Sequence, residues 1–131
     1  MARQRIILTL LWWGWGLLLV LLLVALSYQP AIFGEDPKAA WDWFTPHILP
    51  TMMLVGAAAY AKKDVPLGTE GHGQLFIIAL VASIIYLLLL TIALLSVFYV
   101  VDPLAALRKA SLWLGLLQGL CASALSVFFT K

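Results

Sequence analysis

Read as apolar and polar positions, the chain is four long apolar runs separated by three short polar stretches. The runs extend from Ile6 to Tyr28, Pro46 to Ala61, Leu75 to Val101 and Leu107 to Thr130. Apolar stretches of about 18 or more residues without charge have the length of a membrane-crossing helix. The pattern predicts an all-α integral membrane protein with four transmembrane helices, paired as helix hairpins, and no soluble domain. The second run is short, about 24 Å as a helix, and the third long, about 40 Å. Tilting or projection is expected of the third.

Local residues suggest where the helices begin. Thr45-Pro46 and Asp102-Pro103 each place a capping type of residue before a proline, which is tolerated at the first helical position because its missing N–H has no partner there. Both are read as helix starts, with Pro50 one turn inside the second helix as a kink. Gly68, Gly71 and Gly73 make the stretch from Lys62 to Gly73 a flexible connection. The N-terminal layout, arginines then leucines then Ala25-Leu26-Ser27, is similar to a secretory signal. Its apolar core exceeds the about 7–15 residues of such a signal, so a retained helix is expected.

The fourth run has a second pattern inside the first. On a wheel of about 100° per residue, Gln118, Ser111, Ala122, Gly115, Ser126, Gly119 and Ser123 fall in one sector of roughly 140°, interrupted by Leu112. Arg108 joins the same sector one turn earlier. The opposite side carries Trp113, Leu114, Leu116, Leu117, Leu120, Leu125, Val127 and Phe128. Small residues four apart let helix backbones approach, and a glutamine in the bilayer adds a hydrogen bond between helices worth about 0.6–2 kcal/mol. The row is a contact surface, either for the other helices of the chain or for copies of itself around an aqueous path. Ala79, Ala82, Ser83, Tyr86 and Ala93 give the third helix a matching side.

Composition supports the membrane reading: 64% of residues are apolar and 11% charged, against roughly 45–50% and 25% in a soluble domain. Charge adds an orientation. With Arg3, Arg5, Lys62, Lys63 and Lys131 on one side and Lys38, Arg108 and Lys109 on the other, the excess of cations on the cytoplasmic side places both termini in the cytoplasm. A net charge of +2 without a block of like charge excludes nucleic acid as a partner. The single Cys121 has no internal disulfide partner and reads as a small packed residue.

His47, Arg108 and Lys109 stand at the starts of their runs and no Asp, Glu, Lys, Arg or His lies in the interior of the four, whereas coupled pumps and transporters mark their paths with such residues. Small four-helix multidrug exporters carry a glutamate in the first helix, and LWWGWGLLLV has none. His47 and His72 fall at opposite faces, about 25–30 Å apart across the bilayer, and cannot share a ligand within one subunit. No cofactor, metal or catalytic set is expected: Glu35, Asp42, Thr45 and His47 share an outer loop without a nucleophile and positioned base. Trp12, Trp13 and Trp15 read as an interfacial and packing cluster, with a lipid groove as the alternative.

The segments WDWFTPHILPT and LWLGLLQGL give the chain, from Trp41 to Phe129, a resemblance to small bacterial four-helix membrane proteins. That resemblance implies a bacterial inner membrane and carries over no functional motif. The expected function is a non-enzymatic membrane protein that homo-oligomerises as a pore-forming or membrane-disrupting effector of toxin, holin-like or defence type. The alternative is an accessory or anchor subunit meeting another protein through Lys62 to Gly73, and a weaker one is a lipid-handling or enzyme subunit using Asp42 and His47. Membrane lipids and copies of the chain are the expected partners.

Overall fold

The structure is a computed structural model that describes residues 2–29, 37–60 and 72–130. Every regular element among them is helical: α1 (Ala2–Ser27), α2 (Pro37–Tyr60), α3 (His72–Leu95) continued by a 3₁₀ turn (Ser96–Phe98), and α4 (Pro103–Thr130). Three of these, over Arg3–Ser27, Gly73–Phe98 and Pro103–Thr130, are long and apolar enough to cross a membrane. The expectation of four spans is met only that far, because α2 carries Lys38, Asp42, His47 and two prolines in its length.

The largest boundary correction concerns α2. It begins at Pro37, nine residues before the expected start at Pro46, and runs through both Pro46 and Pro50. Asp36-Pro37 repeats the capping signature of Asp102-Pro103, which does open α4: the Asp102 Oδ1 accepts the Ala105 N–H at 3.2 Å. α3 closes earlier than Val101, through the Ser96–Phe98 turn, where the Tyr99 N–H reaches the Ser96 carbonyl at 3.0 Å. α4 starts at Pro103 and not at Leu107. The connection expected between Lys62 and Gly73 lies outside the described residues up to position 71; His72 and Gly73 already belong to α3.

The helices run alternately up and down. Trp41 of α2 donates its Nε1 hydrogen to the Ser27 hydroxyl at the end of α1, while Gly56 lies against Trp13 further back along α1. α3 and α4 pack most extensively, antiparallel, from Phe76 against Phe128 (5.9 Å between ring centroids) to the 3₁₀ turn beside the start of α4. Near the N-terminus Arg5 donates from Nη2 to the Phe129 carbonyl at 3.4 Å and lies 5.9 Å from the Phe129 ring. The cation there meets the negative end of α4, and both described termini lie at one end of the bundle.

The interior is filled by large side chains: Trp12, Phe44, Tyr86, Leu87, Leu90, Leu114, Leu125 and Phe128 are fully buried. The outer face of the same helices is equally apolar, with Leu10, Leu18, Leu21, Ile77, Leu112 and Leu116 exposed. A soluble protein does not expose apolar surface on this scale, and such a surface is suited to lipid.

Candidate functional site

Two polar systems cross between helices. In the first, Trp12 donates its Nε1 hydrogen to the Ser83 Oγ at 2.9 Å, and the same Oγ lies 3.8 Å from the Cys121 Sγ, a pair in which either atom can donate. One turn away Tyr86, stacked on Trp12 with centroids 6.0 Å apart, donates to the His47 carbonyl. Trp15 donates to the Thr91 Oγ1 at 2.9 Å. The group pins all four helices to one another. Burial of these N–H and O–H groups without partners would cost about 1–3 kcal/mol each, so Trp12 and Trp15 are packing residues, and Trp13 remains partly exposed.

The second system is built on a proline. Pro50 has no N–H, so the carbonyl four residues earlier, that of Pro46, loses its helical partner. Gln118 of α4 supplies one, donating from Nε2 to the Pro46 carbonyl at 3.0 Å and lying 3.5 Å from the Thr51 Oγ1. Pro46, Pro50, Thr51 and Leu54 of α2 with Gly115, Gln118, Gly119 and Ala122 of α4 line an open groove of about 500 Å³.

The glycines divide into two kinds. A Cβ built on Gly16 would stand 2.6 Å from the Met52 Sδ, and one on Gly56 3.0 Å from the Trp13 ring, so these glycines admit neighbours from within the chain. A Cβ on Gly115 or Gly119 meets nothing within 4 Å. The same holds for Gly14 and Gly73; Gly115 and Gly119 border the groove.

Of the row expected on α4, the structure brings Gly115, Gln118, Gly119 and Ala122 to this groove. Arg108 and Ser123 are exposed, and Ser111 and Ser126 half-buried, outside it. Two hydroxyls of the row turn back on their own helix: Ser111 donates to the Arg108 carbonyl at 2.6 Å and Ser123 to the Gly119 carbonyl at 2.8 Å. The row is therefore small more than it is wet. The buried face of α4 is a different one, Leu107, Ala110, Leu114, Cys121, Leu125 and Phe128, roughly a third of a turn away; from it Cys121 meets Ser83 and Phe128 meets Phe76 of α3. Leu114, Leu125 and Phe128, which the wheel sets opposite the small row, are core residues. The side expected of α3 does face inward: Ala79, Ser83, Tyr86 and Ala93 are buried.

Asp42, Thr45 and His47 lie within α2 and not in a loop, and Glu35 is outside the described residues. His47 is buried, stacked on Trp43 with centroids 4.9 Å apart, and donates from Nδ1 to the Trp43 carbonyl. Its ring is occupied in packing, whereas Asp42 is exposed. Among the described residues no three His, Cys, Asp or Glu side chains come together as a metal site would require. The α2 half of the groove went unseen in the sequence, although the Pro46/Pro50 spacing signals a freed carbonyl one turn from a proline. Comparison with protein-family models, curated proteins and solved structures finds no match to this chain.

Proposed function

We propose that the chain is a non-enzymatic membrane protein that assembles with copies of itself through the α2/α4 face, with α2 as a fourth span. The observation that carries this reading is the pair Gly115 and Gly119 beside an open groove, unused by any neighbour among the described residues. Each interior glycine costs a helix about 0.5–1 kcal/mol relative to alanine. At Gly16 and Gly56 close packing within the chain offsets that cost; at Gly115 and Gly119 a helix from a second copy does so. Lipid has no means to, since acyl chains fill a leucine surface as well as a glycine one.

Permeation goes with assembly, because the interior of one bundle is filled. A pore or membrane-disrupting effector places the row from Arg108 to Ser126 between copies. The inward-turned hydroxyls of Ser111 and Ser123 favour a dry helix contact as its first use. The location that goes with this reading is a bacterial inner membrane with both termini cytoplasmic, supported by the Lys and Arg balance and by the meeting of Arg5 with the end of α4.

The test is the number of copies in a native membrane extract together with dye release from liposomes. Several copies with release support the effector; several copies without release support assembly alone. A single copy recovered only with a different membrane protein replaces this reading with the anchor-subunit one.

A further inference from the structure

A second groove, of about 540 Å³, lies at the other side of α4, between the end of α3 and the first turns of α4. Ile92 and Ala93 on α3 and Ala106, Ala110 and Trp113 on α4 form its apolar wall, with Lys109 at its rim. We propose that this groove holds an acyl chain of an anionic phospholipid from the adjoining leaflet, with the lipid phosphate on Lys109.

The small side chains of Ala93, Ala106 and Ala110 create the gap, and its walls are mostly hydrocarbon with one indole; Ser96, also in the lining, turns its hydroxyl to the Ala93 carbonyl at 2.6 Å. The sign of the headgroup follows from the charges around the rim. Lys109 is exposed and makes no ion pair among the described residues. The acid on the same rim, Asp102, turns an oxygen to the Ala105 N–H, where its charge is matched by the positive end of α4. Arg108, next in sequence and exposed, strengthens the positive field. Depth agrees as well. With 28 residues, α4 is about 42 Å long against a hydrocarbon thickness of about 30 Å. With the excess shared between the two ends, Lys109, about 9 Å along the helix from Pro103, stands within about one turn of the headgroups, and a lysine stem reaches a phosphate while its methylenes stay on apolar surface. Trp113 lies one turn deeper, beside the acyl chain.

Trp113 makes the occupant measurable. The purified full-length protein is placed in vesicles of phosphatidylcholine with a minor share of acyl-brominated phosphatidylglycerol or of acyl-brominated phosphatidylcholine. Quenching of Trp113 is taken as the difference between the wild type and Trp113→Phe. Brominated phosphatidylglycerol is expected to quench at about fivefold lower mole fraction than brominated phosphatidylcholine, the preference of one surface lysine for an anionic lipid. Lys109→Gln, at an exposed position, should erase the preference with helix content unchanged, and Ala106→Leu should weaken quenching by both lipids by filling the groove. Equal quenching by the two lipids in the wild type, or a preference that survives Lys109→Gln, overturns the proposal. So does absence of quenching by either lipid, the outcome expected if a second copy covers the groove.

Discussion

Gln118 shows how a residue that is costly in a bilayer acquires a use. Its amide reaches the carbonyl that Pro50 leaves without a helical partner, so glutamine and proline, each unfavourable alone, satisfy one another. Two substitutions separate this account from a generic polar contact. Gln118→Leu should destabilise the chain by about 1 kcal/mol in reversible unfolding from micelles. In a Pro50→Ala background the Pro46 carbonyl recovers an N–H from residue 50, and the cost of Gln118→Leu should fall to a few tenths of a kcal/mol. Equal losses in both backgrounds would show that the amide serves something else. The presence of a bridging glutamine was legible in the sequence; its partner was not, because a carbonyl freed by proline belongs to every proline-bearing helix and only tertiary placement says which side chain arrives.

At the scale of elements, the apolar runs located α1, α3 and α4 within a few residues, since length without charge is a strong signal in a membrane. α2 was legible in kind and misplaced in extent. Its first nine residues, from Pro37 to Thr45, contain Lys38 and Asp42 and break the apolar pattern, while the helix continues because Trp41, Trp43 and Phe44 still find the bundle. The glycines test how α1 and α2 fit. Gly16→Val should destabilise the pair by about 1–3 kcal/mol through the clash with Met52, and Met52→Ala should relieve most of that loss. Gly14→Val, with open space around it, should change stability by less than about 0.5 kcal/mol. At the head of α4, Asp102→Ala removes the cap on Ala105 and should cost about 1 kcal/mol. Asp102→Asn should retain most of it, as read from thermal unfolding in detergent.

For the whole molecule, alternation of the helices and the contact of Arg5 with Phe129 place both described termini at one end. Reporters fused to the two ends should accordingly respond from the same side of the membrane; reporters on opposite sides would mean that α2 does not cross. The fold class was readable because lipid imposes a length and a composition on whatever spans it. The orientation of α4 was not, because leucine builds both its packed face, Leu107, Leu114 and Leu125, and its outer face, Leu112, Leu116 and Leu120, and only the small row stood out from either. The central claim is that this row meets another copy, and subunit counting in lipid bilayers addresses it most directly. The wild type should show more than one copy per particle across a range of protein-to-lipid ratios. Gly115→Leu with Gly119→Leu should be monomeric with unchanged helix content, since a Cβ at either position meets nothing among the described residues. A wild type that stays single at every ratio, or a double variant that assembles as the wild type does, contradicts the account.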